Sequence, residues 1–536
     1  MSLHRRRLAV VLSLALLVLS VAAAGCSQGA GNQGAGTGGS SAPSTPQIAF
    51  YGATNDTMVF WDPSDSYSNE IIAMNNIYER LLQYDPATNQ FTGVLAKEWQ
   101  TSPDALTWTF TLREGVKFHS GNEMTAEAVK SSIERTMKRG NGAAFIWEAV
   151  KSIETDGKYK VIFHLSHPSP LDLVAASGYA AFIFDPTVAQ KNGEDWFSKG
   201  NEAGTGAYML ESWQQGGDLV LKQFPDYWQG WSGKHFSKVV YKTVPEAATK
   251  RQMLEAGQLD FVEMLPFEQV EALKSSPNVT ITTTPSFQNL MAFFNTQKKP
   301  LDNVKVRQAL SYAFPYNVVV NDVMKNYAQQ SRGPIPKGLW GHDDHLPQYT
   351  YDLDKAKQLL NDAGYPQGGF TLTMTYASGD ENERRMAELY KAELAKLGIT
   401  LELKGMPWEA QWDQGKATKP QDRQDIFVMY WWPDYANPYS FLYSLFHTED
   451  KVLFNLGYYS NPQYDQLIDK ANGLAATDRQ QAIQLYVQAQ ELLLQDAPAL
   501  FMYDQEYVRA MRSNFKGYTD NPAYPNVVFF YNTYRE

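Results

Sequence analysis

Between Phe370 and Tyr376 apolar and polar residues alternate (FTLTMTY), which is the period of a β-strand with one face buried. Beyond Ser378-Gly379-Asp380 the period changes. Met386, Leu389, Tyr390, Leu394 and Leu397 recur at helical spacing, and Gly398 supplies a left-handed stop. Ile399 to Leu403 alternates again, so the three pieces predict a strand, a crossover helix and a parallel strand, the unit of a right-handed α/β layer. The run Asp425 to Trp432 (DIFVMYWW) is almost continuously apolar, as a strand buried on both faces would be, and stops at Pro433-Asp434. Asp434 therefore follows the carboxyl end of a strand, the edge along which open α/β sheets bind ligands. A loop aspartate capping the next turn is the other reading of the same position.

Helix signals frame further segments. Leu353 to Ala363 ends at Gly364-Tyr365-Pro366, and Thr477 with Gln480 reads as a capping box before a stripe including Ile483, Tyr486 and Leu493, closed by Pro498. In the first half, Leu106 to Leu112 and Lys158 to Leu165 are strand-like, and a helix begins at Thr125 with Val129, Ile133 and Met137 on one face. No internal repeat is evident, and the body reads as mixed α/β lobes. About 490 residues exceed a single core, so two or more lobes are expected.

The amino terminus has a different pattern. Arg5, Arg6 and Arg7 precede an apolar run from Leu8 to Ala24, about 17 residues and shorter than the ~20 of a spanning helix, with small residues Ala23-Ala24-Gly25 at its end. Residues 1–25 read as a secretory signal, so the remainder leaves the cytoplasm. The single cysteine, Cys26, stands at the first position after the cut. That arrangement resembles the lipobox of bacterial lipoproteins, in which the thiol is acylated, although Ala23 replaces the usual leucine; an ordinary cleaved signal beside an accidental cysteine is the alternative. Residues 26–46 continue as a Gly/Ser tract that buries too little apolar surface to order itself, a tether with an end-to-end distance on the order of 25 Å. Losing residues 1–25 removes three arginines and no acid, taking the net charge from −11 to −14, which disfavours nucleic acid as a partner. No second cysteine is present for a disulfide, so stability rests on core size.

Catalytic arrangements are few: HExxH and GxxxxGK[ST] are absent, and no cofactor is implied. His164 with His167, and His342 with His345 beside Asp343 and Asp344, fit solvated turns better than metal ligation. Aromatic residues make up 13% of the chain, enough to wall a ligand cavity as well as to fill cores.

Almost the whole mature chain resembles the family 5 extracellular solute-binding proteins, the peptide and nickel receptors of ABC importers. The resemblance rests on IYERLLQYDPATNQFTGVLAKEWQ (Ile77 to Gln100) and LTWTFTLREGVKFHSGNEMTAEAV (Leu106 to Val129). These are followed in order by GTGAYMLESW (Gly204 to Trp213), DYWQG (Asp226 to Gly230), EAGQLDF (Glu255 to Phe261), FNTQKKPLDNVKVRQALSYAF (Phe294 to Phe314) and DAGY (Asp362 to Tyr365). It implies a bilobal periplasmic-binding-protein-like fold of the large type II class: two mixed α/β lobes joined by a hinge. Lobe I would comprise 47–284 and 500–536, with a subdomain at about 64–185, and lobe II would comprise 285–499. It further implies a monomeric receptor, lipid-anchored at the outer face of the cytoplasmic membrane, that closes on a solute and passes it to membrane permease subunits.

The same resemblance suggests site residues. In peptide-binding relatives the aspartate of a Trp-x-x-Asp-Tyr segment pairs with the ligand's α-amino group, and Trp431-Trp432-Pro433-Asp434-Tyr435 fits that segment. Val428 stands where oligopeptide receptors carry an arginine, so the partner of a ligand carboxylate is not identified. Trp408, Trp412, Trp431, Trp432, Tyr435 and Tyr439 crowd the same half of the cleft, and flat faces suit oligosaccharides as well as peptides. Trp61 and Tyr67 in lobe I, and Phe287 and Asn289 at the crossover, are further candidates for ligand contact, with packing or a turn as the alternative for each. A secreted hydrolase using carboxylates such as Asp434 and Glu409 is a third, remote reading.

Overall fold

Strands Val279–Phe294 and Ala499–Arg512 pair antiparallel along nearly their whole length and form the axis of an eleven-stranded sheet. The structure, a computed structural model, describes residues 47–58, 60–449 and 452–536. The signal sequence, Cys26 and the Gly/Ser tract to residue 46 lie outside the described residues.

To one side of the central pair lie Ile426–Trp431, Thr371–Ala377 and Thr400–Met406. To the other lie Phe261–Val262, Ile48–Ala53, Lys238–Thr243, Leu219–Gln223 and Tyr208–Trp213, while Ala328–Gln330 pairs with Ala499–Arg512 off this path. The anticipated crossover unit is present. Thr371–Ala377 and Thr400–Met406 run parallel from Thr371 opposite Thr400 to Ala377 opposite Met406, and helix Glu381–Ala395 connects them. Asp380 caps that helix by accepting the Glu383 N–H at 2.9 Å. Met386, Tyr390 and Leu394 form part of its buried face, and Gly398 turns the chain at φ 72°, a conformation that costs a residue with a Cβ.

Strand Ile426–Trp431 lies between Thr371–Ala377, to which it is parallel, and Val279–Phe294, to which it is antiparallel. Its side chains alternate between two buried clusters, as a period of two requires: Phe427, Met429 and Trp431 enter one, Ile426 and Val428 the other. Both faces are covered, which explains the uninterrupted apolar run.

The central pair is not uniform. Its first half (VTITTT) is half-exposed, whereas from Leu290 to Phe294 every residue is buried. The register slips between Pro285 and Asn289. Proline has no N–H for the ladder, and Ser286 Oγ instead donates to the Gln505 carbonyl.

A separate four-stranded antiparallel sheet orders Ala96–Thr101, Thr107–Leu112, Lys160–Leu165 and Val150–Thr155. Helix Ala126–Arg139 packs with it, capped by Thr125 through the Ala128 N–H at 3.4 Å and ended by Gly140 at φ 62°. One cap differs from the sequence-based expectation. Helix Arg479–Asp496 is capped by Asp478, which accepts the Gln481 N–H at 3.0 Å, and not by Thr477. An ionised carboxylate accepts more strongly than a hydroxyl and also complements the helix dipole, so the cap falls one residue later.

Candidate functional site

Trp432, Pro433, Asp434 and Tyr435 leave the carboxyl end of strand Ile426–Trp431, and helix Pro438–Phe446 follows, capped by Asn437 through the Tyr439 N–H at 3.0 Å. The short connection lets the first turn of the helix fold back on Asp434. Ser440 Oγ donates to Asp434 Oδ2 at 2.9 Å and accepts the Asp434 N–H at 3.0 Å. Two further bonds reach the segment from the neighbourhood of the four-stranded sheet. Ser177 Oγ donates to the Asp434 carbonyl at 2.9 Å, and Trp432 Nε1 donates to Tyr179 Oη at 3.2 Å.

Asp434 forms part of the wall of a cavity of about 470 Å³. Phe145, Ile146, Glu148, His167 and Ser169 form one side; Tyr435, Tyr439, Tyr443, Phe454 and Asn472 are on the other. Tyr439 and Tyr443 stack with ring centres 4.7 Å apart. Burial pushes the Asp434 carboxyl up to about 6, against a smaller lowering by the Ser440 hydrogen bond. Among the described residues no lysine, arginine or histidine forms an ion pair with it. A half-buried carboxylate without a cation beside it can regain lost solvation by accepting a charge-assisted hydrogen bond from an ammonium group.

The structure brings several sequence candidates together and sets others apart. Tyr435 and Tyr439 line the cavity. Trp431 lies one layer behind, edge-on to Phe454 at 5.2 Å, and Phe454 in turn meets Trp412 at 5.8 Å, which meets Trp408 at 5.4 Å. Trp408 and Trp432 remain about two-fifths exposed. Asn289 is opposite Trp431 in the sheet and fully buried, its Nδ2 donating to the Pro334 carbonyl at 2.7 Å; Phe287 is buried as well. Trp61 is buried edge-on against Trp213 at 5.2 Å, and Tyr67 is exposed and stacked on Phe60. None of Trp61, Tyr67, Phe287 and Asn289 lines the cavity beside Asp434.

Residues that sequence reasoning missed are Glu148, Ser177, Tyr179 and Asn472. They reach the site only through tertiary folding, and nothing in their local spacing marks them. Ser440 had a signal, since it falls in the first turn of the helix after Asp434.

A second cavity, of about 600 Å³, opens on the other side of the central strands, among Gln288, Gln505 to Arg509, Asp380 to Asn382, Arg385 and Lys250. Arg385 Nη1 pairs across it with Glu268 Oε1 at 3.2 Å. Of the two histidine pairs considered for metal, His342 meets the Ile335 carbonyl at 2.8 Å and Asp344 at 3.3 Å, and His164 lies 3.4 Å from Glu154.

An eleven-stranded mixed sheet built on two long antiparallel strands, with a carboxylate at a strand end beside a cavity, defines a fold of the bilobal type II periplasmic-binding-protein class. The model of the bacterial extracellular solute-binding proteins, family 5, matches residues 90–452, and the chain belongs to that family of exported transport proteins. It is 34% identical over 84% of its length to the probable D,D-dipeptide-binding periplasmic protein DdpA of Escherichia coli, covering 87% of that protein. It is 28% identical over 83% of its length to heme-binding protein A of Haemophilus influenzae, covering 85% of that protein. Among solved structures, the periplasmic binding protein DppA of Helicobacter pylori in complex with the peptide STSA superposes with a TM-score of 0.78 at 28% identity, over 91% of this chain and 98% of that one. Among the described residues no helix is long and apolar enough to cross a membrane.

Proposed function

We propose that this protein captures di- or oligopeptides by closing its lobes on them and delivers them, chemically unchanged, to the membrane subunits of an ABC importer. The observation that carries the reading is Asp434, a carboxylate without a cationic partner on a cavity wall, bridged by Ser177 to the other side. Asp434 receives the α-ammonium, and Tyr435 and Tyr439 flank it. Trp431 backs the wall, and Trp408 extends the aromatic surface outward. DppA of Helicobacter pylori, solved with a peptide, and the probable D,D-dipeptide-binding relative of Escherichia coli support the same ligand class.

Closure needs only that the ligand bind the closed form better than the open one. The interrupted pairing at Pro285–Asn289, opposite Asp504 to Glu506, supports a hinge there, with lobe I formed by 47–284 and 500–536 and lobe II by 285–499. Phe287 and Asn289 would then act through the hinge, and Trp61 through packing in lobe I. Acylation of Cys26 and the tract 26–46 would tether a monomeric body to the outer face of the cytoplasmic membrane.

Calorimetry with a free-amine dipeptide and its N-acetylated form tests this. Strong preference for the free amine, lost in Asp434→Ala with the fold intact, is expected; equal affinity of the wild type for both forms would remove the peptide reading. The exposed indoles of Trp408 and Trp432 favour one second reading, an oligosaccharide ligand. Cello- or manno-oligomers raising the melting temperature while peptides do not would replace the first reading with the second.

A further inference from the structure

Arg80 stands between helix Ile71–Ile77 and the hairpin of Leu82–Asp85 and Gln90–Gly93. It lines a cavity of about 130 Å³ that shares no residue with the one beside Asp434. The side chain is 3% exposed, yet among the described residues no carboxylate forms an ion pair with it and its guanidinium donates no hydrogen bond. Its Cζ lies 4.4 Å from the centre of the Tyr524 ring and 5.8 Å from that of Phe529. Those rings attract the flat faces of the cation, whereas the N–H bonds at its edge still need acceptors. Burial accordingly lowers the Arg80 pKa.

The neighbouring carboxylate is committed elsewhere. Glu79 also lines the cavity, but its Oε1 accepts Tyr227 Oη at 2.9 Å and its Oε2 accepts Trp228 Nε1 at 3.0 Å. Two of the three guanidinium nitrogens, Nε and Nη1, are closed off from solvent, and Nη2 is not. Nη2 is therefore the nitrogen that an anion in the cavity can reach. Phe529, which packs on the guanidinium, shares the wall with Gln83, Thr92 and Asn532, whose side chains make no hydrogen bond among the described residues.

We propose that this cavity is a halide site, in which a chloride ion sits at Nη2 of Arg80 with the amides of Gln83 and Asn532 and the hydroxyl of Thr92 as further donors. Carboxylates and phosphates prefer two parallel N–H bonds from the guanidinium fork, and here the fork offers one nitrogen, which suits a single-atom anion. At ~30 Å³ per water the space holds an ion and a few waters. Water alone would supply acceptors and leave the buried charge unneutralised. Because Phe529 and Asn532 come from the carboxyl-terminal segment, and Gln83 and Thr92 from the hairpin, the ion would tie the two together.

Urea unfolding in chloride and in gluconate, an anion too bulky for the cavity, at matched ionic strength tests the site. Chloride is expected to raise the midpoint of the wild type and to saturate. At a concentration ten times its dissociation constant it should shift the folded-to-unfolded ratio about tenfold. Arg80→Met should lose that response. Independently of the variant, wild-type crystals grown with sodium bromide should show an anomalous peak within hydrogen-bonding reach of Nη2. A wild-type midpoint indifferent to chloride, an equal response in Arg80→Met, or bromide crystals without the peak would each overturn the inference; a peak without any chloride response in solution would mark an adventitious ion only. Peptide affinity enters none of these readouts, so their failure leaves the peptide reading untouched.

Discussion

Ser440 Oγ makes two bonds to the residue six positions before it, donating to the Asp434 carboxylate at 2.9 Å and accepting the Asp434 N–H at 3.0 Å. The hydroxyl fixes the carboxylate's direction and lowers its pKa, opposing the larger effect of burial. Ser440→Ala removes that stabilisation of the charged form, and the expected result is a further rise of the Asp434 pKa. In binding measurements the loss of affinity for a free-amine ligand should then begin at higher pH than in the wild type. An unchanged pH midpoint would show that Ser440 does not tune Asp434.

The pH dependence of the wild type follows from the same carboxyl. An ammonium ligand needs Asp434 ionised, and its pKa in the unliganded protein is about 6. Affinity should be level above about pH 7 and fall as pH drops through 6, by about tenfold for each further unit. Stability runs the other way. Because the folded-state value lies above the ordinary 3.8, the folded protein holds the proton more tightly than the unfolded chain. The unfolding free energy should therefore rise as pH falls from about 6 toward 4, by at most about 3 kcal/mol from this group. Asp434→Asn should show that gain already at neutral pH while losing the ligand. Urea titrations of both proteins at two pH values read it directly, and a variant less stable than the wild type at neutral pH would contradict it.

Much of this site is legible in the sequence, for physical reasons that also set the limit. The apolar run before Asp434 reads as a strand covered on both faces, which places its carboxyl end at an open-sheet edge before any relative is considered. The crossover from Thr371 to Met406 is equally readable, because strand period, helix period and a terminating glycine follow one another without a gap. What spacing does not carry is contact between distant segments. Ser177 meets Asp434 across 257 positions, and Asn289 meets Trp431 only because two strands happen to pair antiparallel. Aromatic residues also look alike whether they line or pack. Trp61 is a buried partner of Trp213, whereas Trp432 is exposed at the site. At position 478 a local competition decided between two neighbouring capping residues, and the stronger acceptor won.

The two bonds from Ser177 and Tyr179 to Asp434 and Trp432 join segments on opposite sides of the cavity. Each neutral bond of this kind contributes about 0.5–1.5 kcal/mol net, and both break if the walls separate. Ser177→Ala with Tyr179→Phe should therefore favour the open form and weaken ligand binding by roughly tenfold, without altering the pH midpoint set by Asp434. Small-angle scattering of the unliganded double variant should show a larger radius of gyration than the wild type. Identical scattering profiles and affinities would mean that the two bonds do not hold the closed form.

Arg509, on strand Ala499–Arg512 of the central pair, is 1% exposed and binds Asp520 at 2.9 Å and Asn526 Oδ1 at 2.6 Å, with its guanidinium 4.1 Å from the centre of the Tyr507 ring. Asp520 also accepts the Thr284 hydroxyl at 2.9 Å, from the strand on the other side of the crossing pair. The ion pair thus ties the carboxyl-terminal segment to both crossing strands. Removing one partner leaves a buried charge uncompensated, which costs about 3–5 kcal/mol, whereas replacing both by apolar residues of similar size is close to neutral. Arg509→Met and Asp520→Leu should each lower the urea midpoint sharply, and the double variant should recover most of the loss. The cavity beside Asp434 contains neither residue, so ligand affinity of the folded double variant should stay within a few-fold of the wild type. A double variant as unstable as the sum of the single ones would show that the pair's contacts with Asn526, Thr284 and Tyr507, and not the mutual neutralisation of two charges, hold this end of the chain in place.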